Sequence, residues 1–254
     1  LPAAAGFLAG IAWQAPFLLY AAAIPLGLAA ARYLPEQPME RHAHAPSYLR
    51  EVFLASLRVR SMTIFSMSSM RFFIETSFFV YLPLFALNNL DVAVNRAGLL
   101  FTVFAIGSIV TATTVGSITR RFERIPLVIA AFLAQGLCLL ASSMADSVWV
   151  LGVAMLAFGL ANGVISPAQK SLLTQSVPGQ LRGGFVAADR IAQNTAKSIA
   201  PVVAGAVVVF ASIETMFQAM GAFAIGWALV VGGMELRGML RPADVQAAIP
   251  ATDL

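Results

Sequence analysis

The feature that most constrains this chain is a series of seven apolar stretches, each long enough to cross a lipid bilayer as a helix. A membrane-spanning helix needs about 20 mainly apolar residues. The sequence therefore predicts an all-α membrane protein with seven transmembrane helices. The predicted spans cover residues 15–34, 62–87, 97–118, 125–144, 148–175, 184–209 and 217–236.

Composition supports this class of protein and argues against several others. The 254 residues are 59% hydrophobic and 11% charged, whereas a soluble domain carries about 25% charged residues. Most of the positive charge lies between the spans, so the net charge of +4 does not indicate a nucleic-acid partner. The single cysteine, Cys138, has no partner for a disulfide or for a cysteine-based metal site. The sequence predicts no metal site and no cofactor.

Positive charge between the spans predicts their orientation, because cytoplasmic loops are enriched in Lys and Arg. Twelve such residues fall on one side of the predicted membrane, and only Arg96 falls on the other. We therefore expect a multi-pass protein of the inner (plasma) membrane, with the long central loop and the C-terminus in the cytoplasm. The twelve residues are Arg32, Arg41, Arg50, Arg58, Arg60, Arg120, Arg121, Arg124, Lys170, Arg182, Arg237 and Arg241.

The second span contains two charged residues, Arg71 and Glu75, four positions apart on one helix face. If the helix starts near Met62, Arg71 lies roughly 13 Å along it, well inside the membrane. One interpretation is a substrate or proton site in which Glu75 titrates and Arg71 sets its pKa. Burial and a nearby cation act on a carboxylate in opposite directions. The alternative is a structural ion pair that fixes this helix to a neighbour.

The sixth span carries a polar stripe, whose spacings of three and four indicate a single helix face. A face of this kind is not presented to lipid. Asp189 and Arg190 lie near the cytoplasmic end, where an interfacial anchor or gate pair is the alternative to a solute pathway. Lys197 lies about 20 Å in from Gly184, deep enough to reach into a cavity. The stripe consists of Asp189, Arg190, Gln193, Asn194 and Lys197.

The fifth span places Asn162, Ser166 and Lys170 at four-residue spacing. Asn162 and Ser166 are equally well interpreted as hydrogen-bonding partners of a solute or of a neighbouring helix. Gly159 and Gly163 predict close packing of this helix against another, as small residues do in membranes.

The central loop, residues 35–60, separates a first segment, residues 1–34, from a C-terminal six-helix bundle, residues 61–254. Its second part, residues 48–59, places Leu49, Val52, Phe53 and Leu57 on one face. That pattern predicts a short amphipathic helix on the inner membrane surface. An ordinary tether between two bundles is the alternative.

Several segments, in this order, resemble the major facilitator superfamily. Residues 2–6 and 12–17 resemble the junction between its fifth and sixth helices, and residues 177–183 resemble the link into its eleventh. Residues 116–124 resemble its cytoplasmic motif loop, with Gly116, Arg120, Arg121 and Arg124 as the matching or substituted positions. Here Arg120 replaces the acid and Glu123 replaces the second Gly, so the usual charge contact of that loop is not expected.

The resemblance implies a major-facilitator-type bundle, with this chain as a fragment that holds helices six to twelve of a twelve-helix carrier. It implies secondary transport by alternating access, and we expect proton-coupled export of a small organic solute, as in a drug-efflux antiporter. Uptake by a symporter or facilitator is the alternative, and a membrane-embedded receptor or enzyme is less favoured. The expected partners are the bilayer, a solute, protons and the missing N-terminal half. The candidate pathway residues are Arg71, Glu75, Asn162, Ser166, Asp189, Arg190, Asn194 and Lys197.

Overall fold

The computed structural model describes residues 8, 14, 17, 21, 23–33, 45–90, 92, 94–119 and 122–240, and no strand occurs in them. The secondary-structure elements of the described residues are helices. They are α1 (Ala23–Tyr33), α2 (Ala45–Ser56), α3 (Val59–Leu90), α4 (Val94–Ile118), α5 (Arg124–Ser143), α6 (Val148–Gln175), a 3-10 turn (Gly179–Leu181), α7 (Arg182–Phe210) and α8 (Ile213–Leu236).

Five of these helices are long and apolar enough to cross a membrane, within the described residues: α3, α4, α5, α6 and α8. Five of the seven predicted spans are thereby confirmed, and α6 has the predicted bounds. The sixth span is a helix of 29 residues, α7, but its charged stripe lowers its hydropathy. Of the first span, the described part is mainly α1, with 11 residues and none of them buried.

Glycines bring the long helices into close contact. A Cβ atom on Gly159 would lie 2.2 Å from the carbonyl oxygen of Phe104, and one on Gly163 would lie 2.3 Å from that of Ser108. Any larger residue at these two positions would push α4 away from α6. The structure therefore confirms the predicted packing role of the two glycines. Gly136 and Gly221 permit the same close approach between α5 and α8.

Aromatic side chains of α3 form much of the core. The Phe78 ring lies 5.2 Å from that of Phe158 and 5.0 Å from that of Phe217. The Phe79 ring lies 4.8 Å from that of Phe104, nearly perpendicular to it. Such edge-to-face contacts add to the gain from apolar burial. Most of the aromatic residues of this span therefore pack α3 against α4, α6 and α8.

Hydrogen bonds from side chain to backbone join α3 to α7. The Ser77 hydroxyl donates to the Ala200 carbonyl oxygen and the Tyr81 hydroxyl to that of Pro201, each at 3.3 Å. Pro201 has no N–H, so it cannot donate to the carbonyl of Lys197 one turn earlier. These bonds hold the two helices together at the point where the backbone hydrogen bonding of α7 is interrupted.

The amphipathic helix α2 packs against the start of α7. The backbone N–H of Gly184 donates to the Tyr48 hydroxyl oxygen at 2.8 Å, and Val52 is buried. A Cβ on Gly184 would lie 2.6 Å from Val52 Cγ2. Val52 therefore packs against α7, whereas Leu49 and Phe53 are exposed.

Candidate functional site

A cavity of about 390 Å³ lies between α3, α6 and α7. Its lining comes from the second, fifth and sixth predicted spans, and α5 and α8 contribute nothing to it. Four candidate residues line it: Arg71, Ser166, Asp189 and Arg190. The other lining residues are Phe72, Gln169, Lys170, Leu173, Thr174, Val186 and Gln193.

The cavity occupies the end of the bundle at which α3 and α7 begin and α6 ends. Arg71 lies roughly 18 Å along α3 from Val59 at 1.5 Å per residue. On the same scale Asn162 lies roughly 20 Å from the end of α6, and Lys197 roughly 22 Å from the start of α7. These polar residues therefore share a depth near the middle of the helices.

Arg71 is held mainly by a neighbouring helix. Its Nε donates to Asn162 Oδ1 at 2.9 Å, and Asn162 is buried. The distance from Arg71 Nε to Glu75 Oε2 is 3.6 Å, longer than the roughly 2.7–2.9 Å of a charge-assisted hydrogen bond. Of the two uses that the sequence left open for Asn162, the structure shows an interhelical hydrogen bond.

Glu75 is nearly buried and incompletely paired. Its side chain is 18% exposed, and its Oε2 atom, which is buried, accepts no hydrogen bond from the described residues. Arg71 and Lys197 are the cations that act on it electrostatically. A carboxylate in this setting has cations nearby but no fixed donor on that oxygen.

The Phe72 ring contacts two cations beside the cavity. The Arg71 guanidinium carbon lies 4.5 Å from the centroid of the Phe72 ring, and Lys197 Nζ lies 4.0 Å from it. The negative face of an aromatic ring attracts cations at such distances. Lys197 therefore reaches toward α3 rather than away from the bundle, although it is not part of the cavity lining.

The rim of the cavity is formed by the stripe on α7. Gln193 Nε2 donates to Asp189 Oδ2 at 2.5 Å, and Arg190 Nη1 donates to Gln193 Oε1 at 3.3 Å. Asn194 is exposed and lies outside the lining. At about 100° per residue it stands roughly 140° around the helix from Asp189, at the far edge of the stripe.

The sequence predicted Phe72 only as one of several aromatic residues that could form a pocket wall or pack against lipid and helices, and it gave no site role to Gln169 or Ser68. Gln169 donates to the hydroxyl of Ser68, and both residues are buried. Its position beside Ser166 and Lys170 on α6 could have identified Gln169 as a site residue. Ser68 offered a weaker signal, because it stands one turn before Arg71 in a run of serines.

The described residues of the motif loop, Gly116 and Arg124, are not part of the cavity lining. Gly116 has no atom within 4 Å of the position of a Cβ, and Arg120 and Arg121 lie outside the described residues. Arg124 donates to Gln175 at the end of α6. In the described part of the chain, this arginine thus binds a neutral amide of α6.

No group of three His, Cys, Asp or Glu residues lies together in the described part of the chain. The chemistry that the site offers is therefore that of its cations, its two carboxylates and its amides. Groups of these types are chemically able to bind a polar solute or to exchange a proton.

Comparison with known proteins gives one match to a family. The sequence model of the Major Facilitator Superfamily matches residues 64–242, which include the whole cavity. No curated protein matches the chain.

Proposed function

This chain belongs to the major facilitator superfamily, and we propose that it forms the last seven helices of a twelve-helix carrier that exchanges a small organic solute for protons. Members of the family are transporters and not enzymes, and this chain is a multi-pass membrane transporter of a solute. The coupling to protons, the direction of transport and the second half of the carrier are the proposal. We call this twelve-helix protein the full-length carrier.

The observation that carries the proposal is the incomplete pairing of Glu75. A structural ion pair inside a membrane is stable only when both charges are well hydrogen-bonded. Arg71 instead gives its Nε hydrogen bond to Asn162 and leaves Glu75 Oε2 without a donor. This arrangement favours a carboxylate that gains and loses a proton over one that only fixes two helices.

The proposed cycle uses the two halves of the carrier as rigid bodies around a central site. With Glu75 ionised, Arg71 and Lys197 are partly neutralised. When Glu75 takes up a proton, both cations lose that neutralising charge and the site becomes more positive. A change of one charge next to the cavity is large enough to alter both solute affinity and the preferred orientation of the halves.

Export is the direction we propose, with uptake as the alternative. The cavity lies toward the end of the bundle where α3 and α7 begin and α6 ends, which the arginine distribution predicts to be the cytoplasmic side. A site of about 390 Å³ lies within the roughly 300–1,000 Å³ range of small-molecule pockets. A solute that enters from the cytoplasm and leaves as a proton enters from outside fits this arrangement.

The test is solute flux in vesicles that contain the full-length carrier and carry an imposed proton gradient. We expect inside-out vesicles, acidified inside, to accumulate solute, and a proton ionophore to stop the accumulation. Accumulation that requires the opposite gradient identifies uptake by symport. Flux that ignores the gradient in both directions contradicts the proton coupling.

A further inference from the structure

We propose that the solute is a small organic anion, a carboxylate or a comparable acid with an apolar body. This inference rests on the proposed function, because it names the solute class of the same cavity. Protonation of Glu75 makes the site more positive and does not weaken the binding of an anion, so the exchange of this solute for a proton must act through the preferred orientation of the two halves. Three cationic side chains line the cavity, Arg71, Lys170 and Arg190, against one carboxylate, Asp189. Arg71 is paired with Glu75 at 3.6 Å, which leaves Lys170 and Arg190 as the lining cations without an ion-pair partner among the described residues.

The cavity carboxylate is buried, and its Oδ1 atom accepts no hydrogen bond from the described residues, whereas Lys170 and Arg190 are exposed. Asp189 Oδ2 accepts from Gln193 at 2.5 Å. Within the described residues, the sole ion pair closer than 4.0 Å joins Arg71 to Glu75. Lys170 and Arg190 are exposed and have no carboxylate partner there. The charged groups that the cavity lining exposes are therefore positive.

The cytoplasmic excess of positive charge accounts for Lys170 but not for Arg190. Lys170 stands near the end of α6, where cytoplasmic lysines are common. Arg190 lies roughly 12 Å along α7, and a cation at that depth is costly unless a counter-charge or water accompanies it. An anionic solute between the two residues supplies that counter-charge.

The rest of the lining suits the apolar part of such a solute. Phe72, Leu173 and Val186 supply apolar surface, while Ser166 and Gln169 supply a few polar groups. Arginine binds carboxylates through paired N–H donors, and Arg190 gives one donor to Gln193 at a long 3.3 Å. Its remaining donors are available at the mouth of the cavity.

The experiment compares three ligands of one shape: 2-naphthoate, 2-naphthamide and 2-naphthylmethylammonium. Each is titrated into the full-length carrier in phosphatidylcholine nanodiscs, and the unfolding temperature is recorded. We expect naphthoate alone to raise it. In the double variant Lys170→Gln, Arg190→Gln the apparent affinity for naphthoate should fall about tenfold or more, since charge-assisted hydrogen bonds are lost. The matched control Arg237→Gln removes one charge outside the cavity and should change it less than about twofold.

The proposal is overturned if the amide or the ammonium raises the unfolding temperature as much as naphthoate does. It is also overturned if none of the three ligands raises it. An equal loss of affinity in Arg237→Gln also overturns it, because the effect is then one of net charge. The titration is repeated with phosphatidylglycerol in the nanodisc. Loss of naphthoate binding there assigns the cavity to an anionic lipid headgroup instead.

The two proposals fail separately in this design. If naphthoate has no preference while the proton gradient still drives solute flux, the solute class is wrong and the coupling stands. If naphthoate binds selectively but flux ignores the gradient, the coupling is wrong and the solute class stands.

Discussion

Arg71 Nε lies 2.9 Å from Asn162 Oδ1, on a helix 91 residues further along the chain. This contact takes the donor that Glu75 would otherwise receive, since the ion pair on the same helix measures 3.6 Å. Asn162 is therefore a positioning residue for the cation, and through it for the acid. The proposed proton exchange depends on this competition.

Replacing Asn162 with Leu should tighten the pair between Arg71 and Glu75. A cation that bonds the carboxylate more closely makes the carboxylate harder to protonate. We expect the pH profile of gradient-driven flux in the full-length carrier to move to lower pH. A purely structural role for Asn162 would lower expression and flux at every pH without moving the profile.

Replacing Arg71 with Ala should move the same profile in the opposite direction. The carboxylate loses the cation beside it, so its protonated form is retained to higher pH. The pH optimum of flux is the measurement, and Arg237→Ala is the matched control at a cation far from the cavity. If the pH profile moves in the same direction for Arg71→Ala and for Asn162→Leu, Asn162 and Glu75 do not compete for Arg71.

Gly159→Ala should destabilise the bundle. The added Cβ would lie 2.2 Å from the Phe104 carbonyl oxygen, so α4 and α6 must move apart, at a cost of about 1–3 kcal/mol. Thermal unfolding in detergent measures the loss. Gly152 lies on the same helix and has no atom within 4 Å of its Cβ position. Gly152→Ala should leave the unfolding temperature unchanged or raise it.

Tyr48→Phe should loosen the attachment of α2 to α7. The variant removes the hydroxyl that accepts from the Gly184 N–H, a bond worth about 0.5–1.5 kcal/mol. Hydrogen exchange at the Gly184 amide should become faster. Tyr33→Phe, at an exposed tyrosine of α1, provides the control. Unchanged exchange at Gly184 would show that the Tyr48 hydroxyl does not hold this helix.

The sequence predicted what depends on local pattern. Apolar length located the spans, and α6 matches its predicted bounds because Ser147 caps its start and a polar turn follows its end. The four-residue spacing of Arg71 and Glu75 predicted their proximity. The hydroxyls of the third span also behave locally, since Thr102 and Thr111 each bond to a carbonyl of their own helix.

The contacts between helices could not be predicted from the sequence. The bond from Arg71 to Asn162 depends on the rotation of α3 against α6, which no local spacing fixes. The same holds for Phe72, whose ring contacts Arg71 and Lys197 while other aromatic residues of α3 pack in the core. Val52 turned toward α7 because Gly184 leaves room for it, a property of the partner and not of its own helix.

The most direct test of the account is gradient-driven transport by Glu75→Gln in the full-length carrier. Solute accumulation in proteoliposomes is measured across a range of pH, with solute binding and expression as controls. The account predicts that accumulation is lost while binding and expression persist, because glutamine keeps the shape of the side chain but cannot carry the proton. A Glu75→Gln carrier that still accumulates solute against its gradient, with the pH profile of the unmodified protein, would contradict it and leave the pair with Arg71 as a structural ion bridge.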